Sequence, residues 1–479
     1  MKRRHYYPIT ISLLTALSAG CSNLNTELSI PEQPMPSNFQ GQQQKADSAA
    51  VSEINWREYF ADPQLLKLID SAIGNNLDLQ IALQRIEAAR SSIKLANGAM
   101  LPKVELNIGG GMRKFGLYTM DGAGNDTTDI TPGNTVPEIL PDMFLGLQSS
   151  WEIDVWGKLK NQRNSAASTY LSSIDAANFV ISNLVADVAI YYNELLALDH
   201  ELDIIRQTIK KEQEALDVIK WQKEAGRANE LAVQQFHAEL LNTQISEKNT
   251  LQNITETENK INFLLGRYPQ SIDRSKEVFF QENPHELSAG VPSQLLENRP
   301  DVRAAEYEIE ASKFDLEAAK AAFYPNFTMT ATFGFQAFNP EFLFQTPASL
   351  AYSVLGQMIA PLINKKALEA RFNTAQANQV SAMYNYQKTI LNAYVEVANQ
   401  LSNIQNLKQI NVLKKRQSDA LKQSVDVSNE LYKSAKATYL EVLIAQQSAL
   451  QSNLQLINVT KQWRISSVNL YKALGGGWK

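Results

Sequence analysis

The sequence predicts a mostly α, α+β membrane protein in which hairpins pooled from several copies close an outer-membrane β-barrel and long helices continue it. Three observations predict this class. Segments after Pro102 and Pro325 alternate apolar and polar residues, two very long runs lack glycine and proline, and the two halves of the chain repeat one another.

Composition excludes more than it identifies. The chain has 479 residues with a formal net charge of -5, and glycine (21) and proline (17) are sparse. So mild an acidity argues against nucleic acid, which would want a basic surface. The single cysteine, Cys21, excludes an internal disulfide framework and leaves nothing for a thiolate metal site. Four histidines stand far apart at positions 5, 200, 237 and 285. Asp199-His200 reads as a surface pair on a long helix. No constellation looks catalytic, so neither an enzyme nor a cofactor or metal is expected.

The first residues read as a targeting segment. Lys2, Arg3 and Arg4 form a positive region, Ile9 to Leu17 a short apolar stretch, and Ser18, Ala19 and Gly20 lead into Cys21. That stretch is well short of the roughly 20 residues a spanning helix needs. The pattern is similar to the bacterial lipobox, with Ser18 where leucine is usual and Leu17 one step earlier. Residues 1–20 are therefore expected to be a signal peptide, Cys21 the lipidation site and residues 21–55 a lipidated tail. Ser22 matches the outer-membrane sorting default. Acyl chains contribute about 0.8 kcal/mol per buried CH₂, so several of them anchor stably. No later run has the length and purity of a transmembrane helix, so a crossing would have to use strands closed into a barrel.

Two halves of the chain align. Asp78–Leu106 superposes on Asp301–Met329 at one constant offset, matching Asp78/Asp301, Ile86/Ile309, Glu87/Glu310, Ala88/Ala311 and Pro102/Pro325. Arg163 then matches Arg371, and Ala225-Gly226-Arg227-Ala228 matches Ser434-Ala435-Lys436-Ala437. One insertion in the first half, between Pro102 and Arg163, reconciles the offsets. Each half reads as helix, hairpin, very long helix, turn and long helix. Asp62-Pro63 is an N-cap followed by proline at the first helical position. Pro102 and Pro325 each stop a helix, because proline has no N–H to donate.

In Phe327–Gln336 the alternation is unbroken, with Phe327, Met329, Phe333 and Phe335 on one face and Thr328, Thr330 and Thr332 on the other. Leu145, Leu147, Trp151 and Ile153 likewise alternate with Gly146, Gln148, Ser150 and Glu152, and Val104, Leu106 and Ile108 with Glu105 and Asn107. The fourth strand, near Tyr352 to Ala360, alternates poorly. Period two sends alternate side chains to opposite faces, and about ten residues per strand with apolar-out, polar-in alternation is the signature of an outer-membrane barrel. Four strands cannot close one, since the smallest need about eight. Two copies would supply eight strands around a filled interior, and three would supply twelve with room for a channel. The threonine-rich face fits a wet interior. Lys114 to Asp142, rich in Gly, Asp, Thr and Pro, is expected as the larger external loop, and Ala337 to Ser349 as the shorter.

From about Lys158 to Glu224 an apolar residue recurs every seven positions: Ile174, Ile181, Val188, Leu195, Leu202, Ile209, Leu216. A second seam runs Ala177, Leu184, Tyr191, Leu198, Ile205, is interrupted by Glu212, and resumes at Ile219. A strict heptad imposes a left-handed supercoil, and at 1.5 Å per residue the helix spans on the order of 100 Å. Its counterpart covers about Lys366 to Leu431.

These residues resemble the TolC-type outer-membrane efflux family, in the NodT-like lipoprotein branch that works with RND pumps. The likeness rests on Trp56–Pro63, Trp151–Lys158, Leu295–Val302, Thr438–Leu443 and Leu470–Trp478, in that order, and covers nearly the whole mature chain. It implies a homotrimer with a twelve-stranded barrel, four strands per protomer, in outer-membrane lipid. A periplasmic α-helical barrel would continue it and dock on a periplasmic adaptor protein and an inner-membrane RND transporter. It further implies adaptor-docking turns at Gly226, Arg227, Ala435 and Lys436, and a periplasmic gate at Leu440. Ile444 stands where the family often has an aspartate, so Leu440 and Ile444 are expected to form an apolar constriction with Glu441 as the nearest carboxylate. Trp151, Ile153, Phe327, Met329, Phe333 and Phe335 would face lipid.

The expected division is thus a first repeat at 56–270, an equatorial linker at 271–300 and a second repeat at 301–475. The hairpins are expected at about 103–155 and 326–361, and the long helical pairs at about 158–266 and 366–475. The function implied is a passive outer-membrane channel of a tripartite efflux system for small molecules. The rival readings are a duct of the same fold for metal export or type I protein secretion, and a lipid-anchored coiled-coil scaffold without a pore.

Overall fold

The computed structural model describes residues 34–39, 54–280, 290–361, 363 and 365–479; Cys21 and the signal segment lie outside them. After α1 (Trp56–Tyr59), α2 (Pro63–Asn75) and α3 (Leu77–Ala99) the chain enters β1 (Lys103–Lys114), then α4 (Met120–Thr127), β2 (Asp129–Thr131), β3 (Asn134–Thr135) and β4 (Ile139–Ile153). The long helix α5 (Lys158–Glu224) turns into α6 (Glu230–Leu264). The second half runs α7 (Gln294–Asn298), α8 (Pro300–Ala321), β5 (Asn326–Ala337), β6 (Leu350–Ile359), α9 (Lys366–Lys433) and α10 (Tyr439–Ala473). Asp62 accepts from the Gln64 N–H at 2.8 Å ahead of Pro63, which is why α2 starts there.

The chain divides into two compact units. One, built on Ala88–Tyr170 and Tyr307–Tyr384, holds a four-stranded antiparallel sheet in the order β1-β4-β5-β6. The stretch expected as one long loop carries α4 and the small β2–β3 hairpin, and β4 begins at Ile139, before Asp142. The fourth strand is better ordered than its sequence suggests. Leu350, Tyr352, Val354 and Met358 pair with Phe335, Phe333, Ala331 and Phe327, so they continue the apolar face. Gly356 on that face, and Leu355 and Ile359 on the other, blurred the period.

The other unit, built on Glu32–Glu87, Leu171–Glu306 and Asn385–Lys479, contains the main core. Here α5 buries Leu184, Val188, Leu195, Leu198, Leu202 and Ile205 as the heptad requires. Part of α5 is long and apolar enough to cross a bilayer, contrary to expectation, but these apolar residues are committed to the core. Three of the motif segments converge in this unit. Tyr59 stacks on Tyr471 with ring centroids 4.1 Å apart and donates to Ser467 O, while Tyr471 donates to Ile54 O. Arg299, only 5% exposed at its side chain, binds Asp301, Glu396 and Ala473 O. Gly475, at φ +92, brings the chain so close to Asn298 O that an added Cβ would sit 2.5 Å from it.

The Asp199-His200 pair is not a surface feature. Asp199 is buried and receives two hydrogen bonds from Arg274, at 2.6 and 2.8 Å, and Arg274 also binds Glu258. His200 packs against Phe279 and Phe280. The segment after α6 folds back over α5 at this level, which a helical wheel cannot reveal.

Candidate functional site

Two features carry functional geometry, one in each unit. The first is the sheet. Antiparallel partners share a face, so the register builds apolar rows: Leu106–Leu147–Phe333–Tyr352, Ile108–Leu145–Phe335–Leu350 and Ile153–Phe327–Met358, with Trp151–Met329 between. These side chains are open to the surroundings: Ile108 is 73% exposed, Phe333 57% and Tyr352 77%. All six residues expected to face lipid therefore share one face. The opposite face aligns Glu105–Gln148–Thr332–Ser353 and Glu152–Thr328–Gln357. It is knitted by hydrogen bonds from Asn107 to Gln148 at 3.0 Å and between Thr332 and Ser353 at 2.7 Å.

Two details shape the sheet. Trp151 Nε1 donates to Met100 O at 2.9 Å and Trp156 Nε1 to Pro325 O at 2.8 Å, so both indoles sit at one end of the strands. Tryptophan satisfied in this way suits a membrane–water interface. Gly146 and Gly334 face each other across β4 and β5, where a Cβ on Gly146 would lie 2.5 Å from Phe333 O. Such close backbone approach bends a sheet.

Among the described residues β1 pairs only with β4 and β6 only with β5, which leaves both outer edges without partners. A soluble protein with an exposed apolar face and two such edges would aggregate. Lipid over the face and further strands at the edges would relieve both.

The second feature is the pair of turns joining the long helices. Gly226 (φ +70) and Ala435 (φ +54) both adopt the left-handed conformation. The Arg227 N–H reaches Gln222 O at 2.7 Å and the Lys436 N–H reaches Leu431 O at 2.8 Å, the same helix-closing motif in both. Each following helix is capped in its turn, by Asn229 accepting from the Ala232 N–H and by Thr438 with Glu441. Glu441 Oε2 accepts from the Thr438 N–H at 2.5 Å and lies 3.2 Å from its hydroxyl, so this carboxylate is engaged at the helix start. Leu440 and Ile444 are 45% and 51% exposed on the first turns of α10.

Sequence reasoning missed two groups near these turns. Tyr432 in the last turn of α9 donates to Gln222 Oε1 in the last turn of α5. Glu212, read as an interruption of the seam, is 3% exposed and keeps its seam position. Its Oε1 accepts from Thr243 at 3.1 Å, and burial, reinforced by Glu239, pushes its pKa up to about 7. A charged residue inside a heptad seam was the signal for it. Tyr432 offered none.

Comparison with known proteins agrees with this geometry. The sequence profile described as "Outer membrane efflux protein" matches residues 68–267 and 291–476. The probable outer membrane lipoprotein SilC of Salmonella typhimurium is 28% identical over 474 residues, covering 98% of each chain. The outer membrane protein OprJ of Pseudomonas aeruginosa is 28% identical over 480 residues, covering 98% of this chain and 95% of its own. Among solved structures, CusC superposes with a TM-score of 0.81 at 26% identity, covering 95% of this chain and 100% of its own, in work on transmembrane channel formation.

Proposed function

The chain belongs to the outer membrane efflux protein family and is the outer membrane channel component of an efflux system, and on that premise we propose that it works as a passive homotrimeric duct. The observation that carries the trimer is the sheet. Joining β1 of one copy to β6 of the next would satisfy both open edges, and three copies would close twelve strands around a bore wide enough for water. The rows of Leu, Ile and Phe would then face lipid and the Thr, Gln and Glu rows the bore. The matched turns and caps support an internal repeat of 56–270 and 301–475 around a linker at 271–300.

At the other end, Gly226, Arg227, Ala435 and Lys436 would present the turns to a periplasmic adaptor, itself joined to an inner-membrane RND transporter. Leu440 and Ile444 would narrow the bore there. The capping box holds Glu441 against Thr438, so its charge would act from a fixed position on each of three copies. Lipidation at Cys21 is supported by SilC being named a lipoprotein. The relatives differ in cargo, since CusC is named a cation efflux protein while others are named for solvent or pyoverdine export. Cargo is thus assigned to the pump, with small molecules in general passing the duct.

Two measurements test this reading. Unheated membrane fractions should run in mild detergent as a trimer that boiling converts to monomer. The purified protein should give steady conductance in planar bilayers, and Glu441→Ala should weaken its cation preference. A detergent-stable monomer without conductance would sink the duct, and an unchanged cation preference would remove Glu441 from the gate.

A further inference from the structure

In the second unit, α5, α9, α10 and Phe236 of α6 enclose a half-open cleft of about 690 Å³ close to the helix turns. Its lining is mixed, and Phe236, Tyr432, Tyr439 and Val442 form its apolar and aromatic part. Among its polar residues, two carry buried side-chain oxygens without a partner among the described residues. Glu212 is 3% exposed, and its Oε2 has no hydrogen-bond partner among the described residues. Gln446 lines the same cleft from α10, and its Oε1 is also buried without a partner. A buried acceptor left unpaired costs free energy, and here two acceptors share one cleft. The complement to such a site is a positively charged group with several N–H donors and an apolar tail.

We propose that this cleft binds a small protonated alkylamine, its ammonium held by the Glu212 carboxylate and the Gln446 amide oxygen and its chain laid along the aromatic wall. Ammonium supplies three donors and a full charge, and Tyr and Phe faces attract cations. Among the described residues, the charged neighbour that shifts Glu212 is Glu239 of α6, a like charge. Lys211 and Glu214 of α5, and Lys422, Asp426 and Lys433 of α9, line the cleft without pairing with Glu212, and α10 contributes no charged side chain to it. Lys433 is engaged by Glu430 at 3.0 Å. The carboxyl is therefore largely protonated below neutral pH, and an arriving ammonium must displace that proton.

This gives the site a signature that a structural role for Glu212 would not share. Calorimetric titration of the full-length protein in detergent with n-butylammonium, which stays charged throughout, should show binding about tenfold tighter at pH 8 than at pH 6, as expected for a site whose acid ionises near 7. Glu212→Gln keeps the shape and should lose both the pH dependence and about tenfold in affinity at pH 8. Gln446→Leu should weaken binding at both pH values, and neutral butan-1-ol should bind far less tightly than the amine. Equal affinity for wild type and Glu212→Gln, equal affinity for butan-1-ol, or no heat at millimolar probe would overturn the proposal; in the last case the cleft takes only water. The measurement needs no conducting pore, so its failure leaves the duct reading where it stands.

Discussion

The Tyr432 hydroxyl donates to Gln222 Oε1, tying the last turn of α9 to the last turn of α5. Each residue precedes a left-handed turn residue, Gly226 or Ala435, and each lines the cleft that holds Glu212. One hydrogen bond thus ties the ends of the two helical hairpins beside the expected gate.

Tyr432→Phe removes the donor and keeps the ring. A hydrogen bond of this kind contributes about 1 kcal/mol net. The variant should melt slightly lower and conduct more in planar bilayers, as the hairpin ends separate more readily. Unchanged conductance would show that the bond plays no part in closure.

The two turns make opposite predictions from the same backbone. Ala435 holds φ +54 with a side chain, which glycine would hold without steric cost, while Gly226 at φ +70 already does. Ala435→Gly should stabilise its hairpin and Gly226→Ala destabilise its own, each by about 1 kcal/mol. Thermal melts of the purified protein should rank Ala435→Gly above wild type and Gly226→Ala below.

Gly146 and Gly334 should tolerate no side chain. A Cβ on Gly334 would fall 2.4 Å from Leu145 O, whereas one on Gly110 would meet nothing within 4 Å. Gly146→Val and Gly334→Val should abolish the heat-modifiable oligomer on gels, and Gly110→Ala should leave it intact. Survival of the oligomer in either valine variant would show that the close crossing of β4 and β5 is dispensable.

Glu212 links stability to pH. Its pKa is raised from the model-peptide range near 4.5 to about 7, so the protonated form is the one the fold favours. Its contribution is complete below about 4.5, falls away as pH rises through about 7 and then stays lost, on the order of 3 kcal/mol in all at 1.36 kcal/mol per unit. Glu201 and Asp187 are raised by burial too and add in the same direction. Denaturation of wild type and Glu212→Gln across pH 4 to 8 isolates Glu212, because the difference between them should grow through that window. A constant difference would place the carboxyl in water.

Particular residues show how far the sequence could be read. The bounds of α5 were legible because Lys158 to Glu224 contains no glycine or proline, and local backbone preference alone sets such limits. β5 was legible because Phe327 to Gln336 alternate without error, and β4 from Leu145 onward because only Ser149 interrupts its apolar face. β6 was not, since Leu355 and Gly356 break the period and only pairing with Thr330 and Met329 assigns their faces. The burial of Asp199 depended on Arg274 arriving from a distant segment.

By itself, then, the chain determined its long helices, the faces of β5 and of most of β4, and the twin turns at Gly226 and Ala435, because each follows from steric and hydrophobic rules acting over a few residues. Tertiary structure alone decided that Glu212 would be enclosed, that Tyr432 would find Gln222, and that Gly146 would press on Gly334. Those outcomes depend on how helices are rotated and strands registered against partners far away in sequence. No local pattern encodes that angle or that register; packing selects it.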